Sequence, residues 1–294
     1  MSTARAGQGA NAAPLDSAAA HAGSAAGTLR VFIDGVAFWS PALPGWPIAR
    51  AAFRGEGDPV DPPAKRPAPE ILAPAERRRA PDSVALALEV ASAAVRESGR
   101  EAANLPSVFT SAQGDLAVND YMCTTLASQP LLISPTRFHN SVHNAAAGYW
   151  TIGTGCMAAS TALTAFEQSF AAGLLEAATQ CVADATPVVL VAFDVQATGA
   201  LASVTKSEGL LAAAFVLACE PSERTQAAFD ISLVNISGAA LPLRSAAARS
   251  LQHNGMADML PFAEALALGS ADALELPLSR SLALRLVHRA PTPA

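Results

Sequence analysis

Four cysteines, Cys123, Cys156, Cys181 and Cys219, are the residues in this 294-residue chain best suited to nucleophilic or metal chemistry. None is paired as CxxC and no histidine cluster accompanies them, so neither a structural zinc nor a disulfide framework is supported. Buried free thiols in a reducing cytoplasm are the expectation. Cys156 and Ser160 are the two side chains that could act as acyl-transfer nucleophiles. Ser160, however, lacks a G-x-S-x-G elbow and a placeable His/Asp pair. The other polar concentration is Phe138-His139-Asn140-Ser141-Val142-His143-Asn144. His139 and His143 are four residues apart, so on a helix they would share a face, a spacing that can bind metal. With no Asp or Glu beside them, satisfying buried backbone groups or lining a substrate channel fits better. No cofactor is implied.

These residues sit in an apolar, acidic chain. Hydrophobic residues make up 51% and charged residues 15%, with net charge −6. The acidity argues against nucleic acid as the main partner. No run of about 18 apolar residues is present, which argues against a transmembrane helix. The low charge density fits a surface buried on another subunit, although alanine enrichment alone would give the same figure. Arg77-Arg78-Arg79 reads as a solvated basic turn, with contact to an acidic carrier protein as the sharper alternative.

The elements that would position the chemistry follow from periodicity. Residues 1–28 are Ala/Gly/Ser-rich with little to bury and read as a disordered leader. The remainder, 29–294, reads as one domain. Leu29–Val36 alternates as a strand, and residues 40–81 are dense in Pro, Gly and Arg and read as an irregular surface segment. A helix is expected over Ser83–Ser98, a strand over Leu105–Thr110 and a helix over 116–130. A long alanine-rich helix is expected over Ala158–Cys181. Val188–Phe193, six apolar residues, suits a strand buried on both faces. Further strands are expected at Leu210–Cys219, Phe229–Ile236 and Ser281–His288, and a helix at Met256–Leu268. Helices alternating with apolar strands define a layered α/β fold.

From Ser83 to about residue 220 this order resembles the N-terminal half of the β-ketoacyl synthases, which have the thiolase-like fold. The distinctive stretch is Asn144-Ala145-Ala146-Ala147-Gly148-Tyr149-Trp150-Thr151-Ile152, matching a family Asn-x-Ala-Ala-Gly segment followed by an aromatic and an apolar strand. FHNSVHNAAAGYW and FAAGLLEA are similar to the short chain length factors of aryl polyene pathways, which pair with a catalytically complete ketosynthase. The resemblance implies a nucleophile position near Glu167 or Gln168, neither of which forms a thioester, with Cys156 about three helical turns upstream. It also implies two catalytic histidines in glycine-rich settings, whereas only His253 and His288 lie beyond residue 220. The expected function is therefore a non-catalytic heterodimer subunit that shapes its partner's acyl tunnel and meets an acyl carrier protein. Phe138, His139, Asn140, His143, Asn144, Tyr149, Trp150 and Phe166 are the expected tunnel or interface residues. An acyl-thioester transferase or hydrolase using Cys156 or Ser160, or a structural homodimer, are the alternatives.

Overall fold

The computed structural model describes residues 27–205, 207–236 and 242–289. In chain order the elements are β1 (Thr28–Trp39), α1 (Trp46–Arg54), α2 (Pro74–Arg79), α3 (Asp82–Ser98), β2 (Ser107–Thr110), α4 (Leu116–Ser128), α5 (Pro135–His139) and α6 (Ala145–Thr154). There follow β3 (Ser160–Leu163), α7 (Ser169–Ala183), β4 (Val188–Asp194), β5 (Leu211–Ala218), β6 (Ala227–Asn235), α8 (Ala246–Arg249), α9 (Leu260–Leu268), β7 (Leu274–Pro277) and β8 (Leu282–Arg289). One eight-stranded sheet, ordered β3-β2-β4-β5-β1-β6-β8-β7, runs through all of it. β2 pairs parallel with β3 and β4, and every other pairing is antiparallel.

The apolar run of β4 is explained by burial on both faces. Val188, Leu190 and Ala192 join the core under α7 and α9, while Val189, Val191 and Phe193 join the core under α3 and α6. β5 is divided in the same way, which gives a helix–sheet–helix sandwich. Two glycines set the spacing of the layers. A Cβ on Gly35 of β1 would collide with the Ala94 carbonyl oxygen of α3, and one on Gly173 of α7 would lie 2.9 Å from Thr110 Cγ2 of β2.

Several expectations are corrected. Residues 1–26 of the expected leader lie outside the described residues, and Thr28 already belongs to β1. The segment 40–81 contains α1 and α2. α1 buries Trp46, Ala49, Ala52 and Phe53 along one face, and both helices carry proline in the first turn, where no intrahelical N–H is lost. The segment after Asn144 is not a strand: Ala145–Thr154 is a helix that sinks Trp150 into the core. The expected helix over Ala158–Cys181 is broken. Ser160–Leu163 pairs with Ser107–Thr110 in parallel, and the helix starts only at Ser169. Ala162 and Leu163 favour a helix and Thr161 a strand, and the open edge of β2 decided for the strand. β7 carried no sequence signal beyond a Leu-Glu-Leu alternation.

Candidate functional site

The C-terminal ends of the parallel strands β3, β2 and β4 converge on one spot, the usual place for a site in an α/β sheet. The turn from β3 into α7 is sharp, because Phe166 holds a left-handed backbone conformation (φ 56°). Such a residue, uncommon outside glycine and asparagine, marks a held conformation. Ser169 Oγ donates to the Phe166 carbonyl at 2.7 Å and accepts the Ala165 N–H at 2.9 Å, which pins the turn. Phe166, Glu167 and Gln168 form a single 3₁₀ turn ahead of α7, with the Phe166 side chain 54% exposed. The residues expected near the nucleophile position therefore lie just ahead of a helix N-terminus, and the strained residue is Phe166.

Behind this turn lies a cavity of about 350 Å³, lined by Ala112, Gln113, Phe166, Thr205, Asn254 and Asp258 among others. One buried carboxylate, Asp258, lines it, and a second, Asp194, lies behind the lining residues Ala112 and Gln113, whose N–H groups it accepts. Asp194, the last residue of β4, accepts the Ser111 hydroxyl at 2.7 Å and the Ala112 N–H at 2.8 Å. Burial pushes its pKa up to about 6, against the pull of those hydrogen bonds. Asp258 accepts the Phe170 N–H at 2.8 Å, at the N-terminus of α7. Its other carboxylate oxygen, Oδ1, is buried without a partner. Burial, with the Asp194 charge adding, pushes the Asp258 pKa up to about 7. Sequence reading missed both. Asp194 closes an apolar strand and Asp258 lies in the short turn before α9, and nothing local tells which backbone groups they hold.

The polar segment divides. His143 places Nε2 3.1 Å from the Ser111 carbonyl, at the edge of the same spot. His139 ends α5 and stacks edge-on to Tyr149, with ring centroids 6.1 Å apart. The two histidines are not on one helix, because α5 stops at His139. Among the described residues no group of three His, Cys, Asp or Glu side chains could hold a metal. Asn140 is buried with Oδ1 unpartnered, while Phe138 and Asn144 are exposed. Trp150 is fully buried and packs in the core of this chain.

Cys156 sits at the opposite end of β3 from Phe166, its buried thiol 3.4 Å from the Leu105 carbonyl. It is therefore not upstream on the same helix, because β3 intervenes. Ser160 accepts the Ser107 hydroxyl at 2.9 Å at that same far end. Arg77 spends its guanidinium on the Leu72 carbonyl at 3.0 Å, while Arg78 and Arg79 are exposed.

β3 is an edge strand, and the chain ahead of it, residues 131–157, is studded with exposed apolar side chains. Leu131 is 96% and Met157 94% exposed, with Leu132, Phe138, Val142 and Ile152 also open. Such a concentration marks an interaction surface. Among the described residues no helix is long and apolar enough to cross a membrane.

Fold and site together define a β-ketoacyl synthase-type, thiolase-like α/β unit. The chain belongs to the β-ketoacyl synthase N-terminal domain family, whose model matches residues 54–276. Among solved structures it is similar to a chain of the ketosynthase ApeO in complex with its chain length factor ApeC from Xenorhabdus doucetiae. That match has TM-score 0.67 and 22% identity, covering 88% of this chain and 99% of that one. It is also similar to the ishigamide ketosynthase/chain length factor, at TM-score 0.66 and 16% identity, covering 89% and 99% of the two chains. A β-ketoacyl synthase from Burkholderia phymatum matches at TM-score 0.54 and 14% identity, covering 82% and 78%. No curated protein matches the sequence.

Proposed function

We propose that this chain is a chain length factor: a catalytically deficient subunit that pairs with a complete ketosynthase and shapes its acyl tunnel. The observation that carries this is the turn between β3 and α7. In the family that turn presents a cysteine thiolate to the helix N-terminus, which stabilises it through backbone N–H groups and the macrodipole. Here the strained residue is Phe166, which has no nucleophilic atom. The Phe170 N–H is already spent on Asp258. An internal carboxylate thus occupies the positive end that a thiolate would need.

The partner reading rests on the exposed apolar side chains of residues 131–157. Covering Leu131, Met157 and Ile152 with a second subunit would remove from water side chains worth roughly 1.5–3 kcal/mol each when fully buried. Phe138 and His139 lie exposed in this segment and Phe166 at the turn after β3, positions from which they can close a neighbouring tunnel at a fixed depth. The pathway class is that of aryl polyene or related fatty-acid-type synthesis in the cytoplasm, with acyl carrier protein as the docking substrate carrier. No nucleic acid or cofactor takes part.

The test is co-expression with the ketosynthase encoded nearest to it, followed by native mass and product analysis. A one-to-one complex whose product lengths shift with Phe138→Ala, His139→Ala or Phe166→Ala is the expected result. A stable homodimer that ignores the ketosynthase would sink the reading.

A further inference from the structure

Asp194, buried at the end of β4, gathers the turn between β2 and α4 onto a single carboxylate. It accepts the Ala112 N–H at 2.8 Å and the Gln113 N–H at 3.4 Å, and both residues line the cavity beside Phe166. Its Oδ1 also accepts the Ser111 hydroxyl at 2.7 Å, and the oxygen of that hydroxyl accepts the Gly114 N–H at 2.8 Å. Gly255, a further lining residue, comes so near that a Cβ there would lie 3.0 Å from Asp194 Oδ2. Residues 111–114 are therefore fixed by one group.

Two segments hang on that turn, each through its own carbonyl. The Ser111 carbonyl accepts from His143 Nε2 at 3.1 Å, which ties down the chain entering α6, inside the apolar stretch 131–157. The Ala112 carbonyl accepts the Thr164 hydroxyl at 3.0 Å, and Thr164 Oγ1 in turn accepts the Phe166 N–H at 3.4 Å. The Ser111 N–H adds a bond to the Leu163 carbonyl at the end of β3, also at 3.4 Å. Both the left-handed Phe166 and the partner-facing segment thus reach the same buried carboxylate through short chains of hydrogen bonds.

We propose that Asp194 is a positioning residue that holds the Phe166 turn and the His143 segment in one fixed relation through residues 111–114. What this achieves rests on the chain length factor reading. The side chain that closes the tunnel and the surface that docks the partner are set by the same group, so the depth of closure is fixed relative to the docked ketosynthase.

A carboxylate suits the task because its two oxygens accept several donors at once, and charge-assisted bonds are stronger than neutral ones. Asparagine offers a single acceptor oxygen, and its NH2 group would face a donor that Asp194 accepts. The Asn variant therefore loosens the turn at its anchor, whereas Thr164 and His143 each carry one arm.

The experiment is hydrogen–deuterium exchange on the full chain without any partner, so its failure would leave the chain length factor reading standing. Thr164→Val is expected to speed exchange over residues 164–168 alone, by about threefold to tenfold, the effect of losing one hydrogen bond of ordinary strength. His143→Ala is expected to do the same over residues 139–145 alone. Asp194→Asn is expected to speed both segments together with 111–114, by a larger factor than the core strand β5 changes. Ser111→Ala removes one donor and keeps the carboxylate. It is expected to give the same two-segment pattern at lower amplitude, and it decides the matter where Asp194→Asn fails to fold. The proposal is overturned if these variants change residues 111–114 alone or speed exchange by one factor across the whole chain. It is overturned as well if Thr164→Val or His143→Ala by itself loosens both segments.

Discussion

Asp258 Oδ2 accepts the backbone N–H of Phe170 at 2.8 Å, four residues beyond the strained Phe166. A carboxylate from the loop before α9 therefore neutralises the helix end at which the family carries out thioester chemistry. Placing a thiol at the turn tests this. Phe166→Cys in a Cys123→Ser background should titrate near the ordinary cysteine value of about 8.5, because Asp258 is ionised at that pH. Adding Asp258→Asn should lower the thiol pKa by about a unit or more, read from the pH dependence of alkylation. A strongly acidic thiol in the variant that keeps Asp258 would contradict the argument.

The same two carboxylates set the pH dependence of stability. Asp194 and Asp258 are raised from 3.8 to about 6 and about 7 by burial. Between pH 4 and 7 the folded chain holds protons that the unfolded chain has released, so stability falls as pH rises through that window. Above about pH 7 both states are ionised and the curve flattens. The total change is on the order of a few kcal/mol. Urea midpoints measured from pH 4 to 8 should show the fall, and Asp258→Asn should remove much of it. Asp230 has the opposite sign. Its hydrogen bond from Arg30 lowers its pKa, so its contribution is lost only as pH drops below about 4.

Replacing Leu131 and Met157 together by Asp separates folding from association. Both side chains are almost fully exposed, so the stability of the isolated chain should change by no more than about 0.5 kcal/mol per site. Complex formation with the ketosynthase should be lost. Retention of the complex on size exclusion would move the interface elsewhere.

Trp150 and Phe138 make a matched pair within one motif. Trp150→Ala empties a fully buried position and should cost roughly 3–5 kcal/mol in denaturant melts. Phe138→Ala removes a side chain that is 62% exposed and should cost little. Equal costs would place Phe138 in the core.

Much of the fold was legible because burial leaves periodic marks. Val188–Phe193 reads as a two-face strand, and Leu105–Thr110 reads as the strand that becomes β2. The short strand Ser160–Leu163 was not legible. Its alanine favours a helix and its threonine a strand, so local propensity is divided and the free edge of β2 selects the strand. That pairing moved Cys156 to the far end of β3 and brought Phe166 to the head of α7.

The sequence by itself determined the layered α/β architecture, the family, and the absence of a thioester-forming side chain at 166–168. Each depends on residue type and order along the chain. Tertiary structure alone decided which residues meet. Asp258 reaches the Phe170 N–H at the head of α7, Asp194 holds the turn after β2, and Trp150 becomes core while Phe138 stays in water. These contacts join residues up to 88 apart, and their partners are set by the sheet order, which no local pattern encodes.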